Sequence, residues 1–129
     1  MRRVTVVRRP RVLVIEYDEQ VLLYVKEVLE EEGLFVLTAR TANDSFKQIE
    51  AERPDLVVST FSMPEPERFR LLEVSQSDSD HASLPVVFMS SEDSSRLQRK
   101  WMKAGASGFL RKPFLPDELI ATVRGLLAR

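Results

Sequence analysis

Short apolar runs alternate with segments of helical periodicity along nearly the whole chain. The runs are Val12–Ile15, Phe35–Ala39, Leu56–Thr60, Val86–Met89 and Gly108–Arg111. Each is short and rich in β-branched or aromatic residues, and the central ones are apolar throughout. Strands buried on both faces read this way, as in a parallel sheet covered by helices. Between them the period changes. Gln20 to Glu32 puts Val21, Tyr24, Val25, Val28 and Leu29 on one stripe, with Gly33 placed to end the helix. A second helix is capped by Asn43 or Asp44, turns Phe46 and Ile49 inward and stops at Pro54. The third runs from about Glu67 to Gln76 and is followed by a polar loop, Ser77 to Ser83. The fourth starts near Asp93 and ends before Gly105. The fifth begins at Pro116-Asp117-Glu118, where proline and acids suit a first turn, and faces inward with Leu119, Val123, Leu126 and Leu127.

Strict βα alternation implies right-handed crossovers and a parallel sheet with helices on both faces. Five units favour an open, doubly wound, three-layer α/β/α fold over a closed barrel, which needs eight. Ligands in such sheets bind at the carboxyl ends of the strands. That rule singles out Glu16-Tyr17-Asp18, Thr60, Ser90 and Lys112, which all follow or end strands.

Composition narrows the chemistry. With 129 residues, 43% hydrophobic and 30% charged, the chain fits one globular domain. A net charge of −1 supplies no bulk attraction to nucleic acid or to an anionic membrane. The absence of cysteine excludes disulfides, thiolate catalysis and cysteine-bound metals. The one histidine, His81, sits in the polar loop and reads as a solvated residue. No apolar run is long enough to span a bilayer, and Met1 to Arg11 lacks the apolar core of an export signal, so a cytoplasmic protein is expected. Residues 1–10 carry Arg2, Arg3, Arg8 and Arg9 around Val4-Thr5-Val6-Val7 and are expected to form a flexible basic arm before a domain spanning 11–129.

Several segments then resemble one family in order and spacing. Arg11-Val12-Leu13-Val14-Ile15 followed by acids is similar to the first strand and acidic corner of response regulator receiver domains. Pro54-Asp55-Leu56-Val57-Val58 leading to Met63-Pro64 resembles their third strand and its loop. Leu84-Pro85-Val86-Val87-Phe88-Met89-Ser90-Ser91 resembles the fourth strand with its hydroxyl residue. Ala104 to Phe114, containing Lys112-Pro113-Phe114, is the most diagnostic stretch. The resemblance covers Arg11 to Ala128. It implies a flavodoxin-like sheet of strand order 2-1-3-4-5 and phosphoryl transfer from a phosphohistidine to an aspartate, assisted by magnesium.

Residue by residue, the resemblance implies a degenerate site. The phospho-accepting aspartate falls on Thr60, and the metal-contacting second acid falls on Tyr17. Glu16 keeps the first acidic position, while Asp18 lies one position late. Ser90 and Lys112 keep the hydroxyl and lysine roles, and Phe109 takes the aromatic switch position without a phenol oxygen. One carboxylate opposite a lysine is a poor magnesium site, so Glu16 and Lys112 are expected to neutralise each other. No metal and no cofactor is expected. Losing acids also removes a repulsion of about 4 kcal/mol for two carboxylates about 4 Å apart at an effective dielectric near 20.

The implied function is a pseudo-receiver, not an enzyme, in bacterial-type signalling. It would contact other signalling proteins (a kinase, an output domain or a regulator) and could form a homodimer through the fourth helix, fifth strand and fifth helix. No membrane partner is expected. With no recognition helix in the chain, nucleic acid is not an expected partner either. A second reading keeps a working phosphorelay receiver with its acceptor displaced to Asp18 or Thr60. A third builds a hydrolase on Ser90 and Lys112. Trp101, among Arg96, Arg99, Lys100 and Lys103, stands open between an interface anchor and a core residue. The proline of Glu65-Pro66-Glu67-Arg68, with Pro64 before it, predicts a stiff loop.

Overall fold

A computed structural model describes residues 8–76 and 84–128. Ten elements alternate without exception: β1 (Arg11–Ile15), α1 (Glu19–Glu31), β2 (Phe35–Ala39), α2 (Ala42–Glu52), β3 (Leu56–Thr60), α3 (Glu65–Gln76), β4 (Val86–Ser90), α4 (Ser95–Lys103), β5 (Gly108–Arg111) and α5 (Pro116–Leu127). The strands form one parallel sheet in the order β2-β1-β3-β4-β5, the predicted arrangement. Register follows the apolar runs, with Val12 opposite Leu56 and Val57 opposite Val86. Residues 1–7, which hold most of the basic arm, and the 77–83 loop with His81 lie outside the described residues.

Alternation along the strands sends side chains to two cores. Val12, Val14, Leu56 and Val58 face α1 and α5, where Leu22, Val25, Leu29, Leu119 and Val123 meet them. Leu13, Ile15, Val57 and Phe88 face the other way, onto Leu71 and Leu72 of α3 and Trp101 of α4. The three central strands are buried on both faces, whereas β2, at the edge, is buried only at Ala39. No described helix is long and apolar enough to cross a membrane.

Local differences from the predicted elements have identifiable causes. Leu22, not Tyr24, completes the buried stripe of α1 with Val25 and Leu29. Tyr24 is half-exposed, its ring against Phe114 and its hydroxyl donating to the Phe114 carbonyl at 3.1 Å. Gly33 does end α1, at φ +83°. Thr41 caps α2 instead of Asn43 or Asp44: its hydroxyl accepts from the Asp44 N–H, leaving Asp44 in the first turn beside the positive end of the helix. Ser94 likewise caps α4 by accepting from the Leu97 N–H, and Asp93 pairs with Arg111. Helix α3 starts at Glu65, so Glu65-Pro66-Glu67-Arg68 is a first helical turn, not a stiff loop. Proline is tolerated there because first-turn N–H groups have no helical partner.

Candidate functional site

The carboxyl ends of β1, β3, β4 and β5 place the expected residues around one depression. Glu16 leaves β1 and is buried, 3% exposed. One of its oxygens accepts from the Lys112 ammonium at 2.6 Å, and the other accepts from the Asp18 N–H at 3.2 Å. Lys112 reaches this position because it follows β5, held there by its N–H donating to the Ser90 carbonyl at 2.8 Å. The same ammonium lies 3.4 Å from the Thr60 hydroxyl, which also accepts from the Ser62 N–H at 3.1 Å. The pit is thus closed by a carboxylate, an ammonium and an alcohol. Each of the three already has a hydrogen-bond partner, in one another or in the backbone N–H groups of Asp18 and Ser62.

The neighbouring side chains turn elsewhere. Asp18 is exposed and caps α1, accepting from the N–H groups of Gln20 at 2.9 Å and Val21 at 3.3 Å. Tyr17 is 39% exposed at the rim, its carbonyl accepting from Arg40. Burial raises the Tyr17 phenol above its ordinary pKa, and the carboxylates of Glu67 and Glu16 push the same way. Ser90 is buried, but its hydroxyl accepts from the Glu92 N–H at 3.1 Å, while the Lys112 ammonium bonds Glu16 and Thr60. Glu16, Thr60 and Lys112 therefore converge. Ser90 adjoins them through the backbone, Tyr17 edges the opening, and Asp18 serves a helix.

This donor set does not fit a magnesium ion. Such ions take one or two carboxylates with several waters or phosphate oxygens. Glu16 supplies one carboxylate, and both of its oxygens already accept hydrogen bonds. Among the described residues, no group of three or more acidic or histidine side chains converges as a metal site. Thr60, for its part, receives two hydrogen-bond donors, and among the described residues no carboxylate accepts from its hydroxyl.

Beside the pit opens a cavity of about 640 Å³, lined by Tyr17, Phe61, Arg68, Ser90, Glu92, Leu97 and Lys112 among others. Arg68 escaped the sequence reading. Its guanidinium donates to the carbonyls of Phe61 at 2.8 Å and Met63 at 2.6 Å, clamping the segment that follows β3. The same group lies over the rings of Phe61 and Trp101, 4.0 and 4.8 Å from their centres. Burial lowers the Arg68 pKa, opposed by Glu65 and Glu92. No spacing rule marks such a residue, because its partners belong to a strand end and to another helix.

Trp101 is fully buried, which corrects the interface alternative. Its ring meets Phe61 edge-on at 5.6 Å, Phe88 at 6.0 Å and Phe69 at 4.5 Å, so the basic residues around it in sequence point outward while the indole fills the core. Phe109 joins the same cluster, half-buried against Phe61 and Phe88.

Comparison with known proteins bears on these features. The family profile of the response regulator receiver domain matches residues 12–124. The chain is 35% identical over 118 residues to response regulator Rre1 of Synechocystis sp., covering 91% of this chain and 51% of that protein. It is 29% identical to part of hybrid signal transduction histidine kinase D of Dictyostelium discoideum, covering 92% of this chain and 8% of the kinase. The chain spans about half the length of curated relatives such as Rre1. Among solved structures, the receiver domain of the Francisella response regulator 1452 superposes with a TM-score of 0.82 at 29% identity, over 94% of this chain and 98% of that one. A response regulator from Chloroflexus aurantiacus gives a TM-score of 0.85 at 24% identity, over 95% of this chain and all of that one, a likeness of fold.

Proposed function

The chain belongs to the response regulator receiver family, and from that premise we propose that it is an atypical receiver that signals through protein contacts, without aspartyl phosphorylation or magnesium binding. One observation carries this reading: the Lys112 ammonium is spent on Glu16 at 2.6 Å and lies against an alcohol, Thr60, at the end of β3. An aspartyl nucleophile is absent from that position, and the donor set around it is poor in carboxylates. The pair that remains is neutral as a unit. Its stable geometry needs no ion.

In this reading the receiver unit covers residues 11–129 and residues 1–10 form a basic appendage. Partners are a histidine kinase, an output domain or another regulator, in keeping with the names of the regulators and the hybrid kinase it resembles. Contacts run through the face of α4, β5 and α5. The cytoplasm is the proposed location.

Incubation with a small acyl-phosphate donor and magnesium, followed by intact-mass measurement, tests the reading. The expected spectrum shows no added phosphate. Phosphate appearing on Thr60 or Asp18 would overturn it in favour of a working phosphorelay receiver.

A further inference from the structure

Two helices, α4 and α1, carry exposed charge of opposite sign. Helix α4 contains four bases and no acid. Lys100 is paired with Glu65 at 2.9 Å. Arg96, Arg99 and Lys103 are exposed, share one face at the i, i+3, i+7 spacing, and make no ion pair among the described residues. Like charges at such spacing repel, and Arg96 stands in the first turn, where the helix dipole disfavours a cation.

Helix α1 is its opposite. Glu27, Glu30 and Glu31 are exposed, and its last turn holds no base. Glu27 and Glu31 repel at i, i+4, and all three acids crowd toward the negative end of the dipole. Its one base, Lys26, is half-buried. The other exposed acids nearby are already satisfied. Asp117 and Glu118 occupy the first turn of α5, where acids are favoured, and Glu118 accepts from the Leu115 N–H. Glu32 is paired with Arg124 at 2.7 Å.

We infer that the Arg96–Arg99–Lys103 stripe of one molecule docks on the Glu27–Glu30–Glu31 surface of a second copy. Each surface supplies the charge that the other lacks. A two-fold contact of α4 on α4 would oppose like charges, so the two patches meet as unlike surfaces. Helix α1 belongs to one core layer and α4 to the other, so the patches lie on different sides of the sheet. A contact between unlike patches adds subunits head to tail instead of stopping at two. The inference deepens the protein-contact reading above by naming the partner surface, yet it depends on surface charge and not on the pit.

Sedimentation velocity of the full chain tests it. In about 0.01 M salt, where the screening length is about 30 Å, the sedimentation coefficient should exceed that of a monomer and rise with concentration. In about 1 M salt, with screening at about 3 Å, it should fall to the monomer value. The triple variants R96E/R99E/K103E and E27K/E30K/E31K, each checked for folding by circular dichroism, should each be monomeric alone at low salt. Mixed in equal amounts, they should associate again. A monomeric natural chain at low salt overturns the inference, as does a variant that still associates alone, or a mixture that stays monomeric. Phosphate uptake in the preceding experiment would sink the reading of the pit and leave this contact standing.

Discussion

The two sides of the sheet are packed on different principles. Against α1 and α5 the core is mostly aliphatic, with Val12, Val14, Val25, Leu29, Leu119 and Val123 each at or near zero exposure and Phe114 the ring beside them. Against α3 and α4 it is built around rings: Phe61, Phe88, Trp101 and Phe69, with Phe109 beside them and the Arg68 guanidinium laid across two of them. Aliphatic side chains interlock by shape alone. Rings also have preferred angles and electron-rich faces, so the second side couples packing to charge. That side also holds the segment after β3, through the two carbonyls that accept from Arg68. The difference teaches that the segment after β3 is tied to α3 and α4 through Arg68 and the rings, while the Glu16 corner is tied to α1 through the Asp18 cap.

Truncation should expose this contrast most strongly. Trp101→Ala should cost about 4 kcal/mol in urea unfolding, against about 3 kcal/mol for Leu119→Ala on the aliphatic side. Adding Arg68→Met to each should separate the two sides further. It should be additive with Leu119→Ala and non-additive with Trp101→Ala, because Arg68 and Trp101 are in contact. Equal additivity in both cycles would remove the distinction.

Next in size is the ion pair at the strand ends, where the two sides meet. Lys112→Met leaves Glu16, 3% exposed, without its cation and should destabilise the fold by about 3 kcal/mol. Glu16→Leu in the same chain should restore most of that loss, since removing both partners removes the uncompensated charge. If the double variant unfolds as readily as Lys112→Met, the pair does not act as a neutral unit.

The smallest effect concerns the rim. The Tyr17 phenol holds its proton to a higher pH than an ordinary tyrosine, because of burial and then of Glu67 and Glu16. The folded state therefore binds that proton more tightly than the unfolded chain. Stability should fall as pH rises beyond about 10, the unfolded value, toward the folded one. Ultraviolet titration of Glu67→Gln should show the Tyr17 transition moving down. A transition that stays in place would show that burial acts alone.

Much of this could be read directly from the chain. Five apolar runs and the helical segments between them dictated the strands, the helices and their alternation, because a buried strand and most half-buried helices leave a period that survives in one dimension. Tyr17 and Thr60 were legible too, as a phenol and an alcohol at positions where the resemblance to receiver domains implies acids. The boundaries of caps were less so. Thr41 and Ser94 took cap roles that neighbouring polar residues could have filled, and the choice rests on which residue stays extended as the chain enters the helix.

Tertiary structure alone decided the destinations of side chains whose partners are remote in sequence. Trp101 went inward because Phe61, Phe69 and Phe88, from three other segments, left a space that a flat ring fills. Arg68 became a clamp because a carbonyl pair and two ring faces arrived beside it. Lys112 found Glu16 across 96 positions of chain. Periodicity records which way a side chain faces relative to its own backbone, whereas contact depends on how separate elements are brought together, and only the folded chain carries that distance.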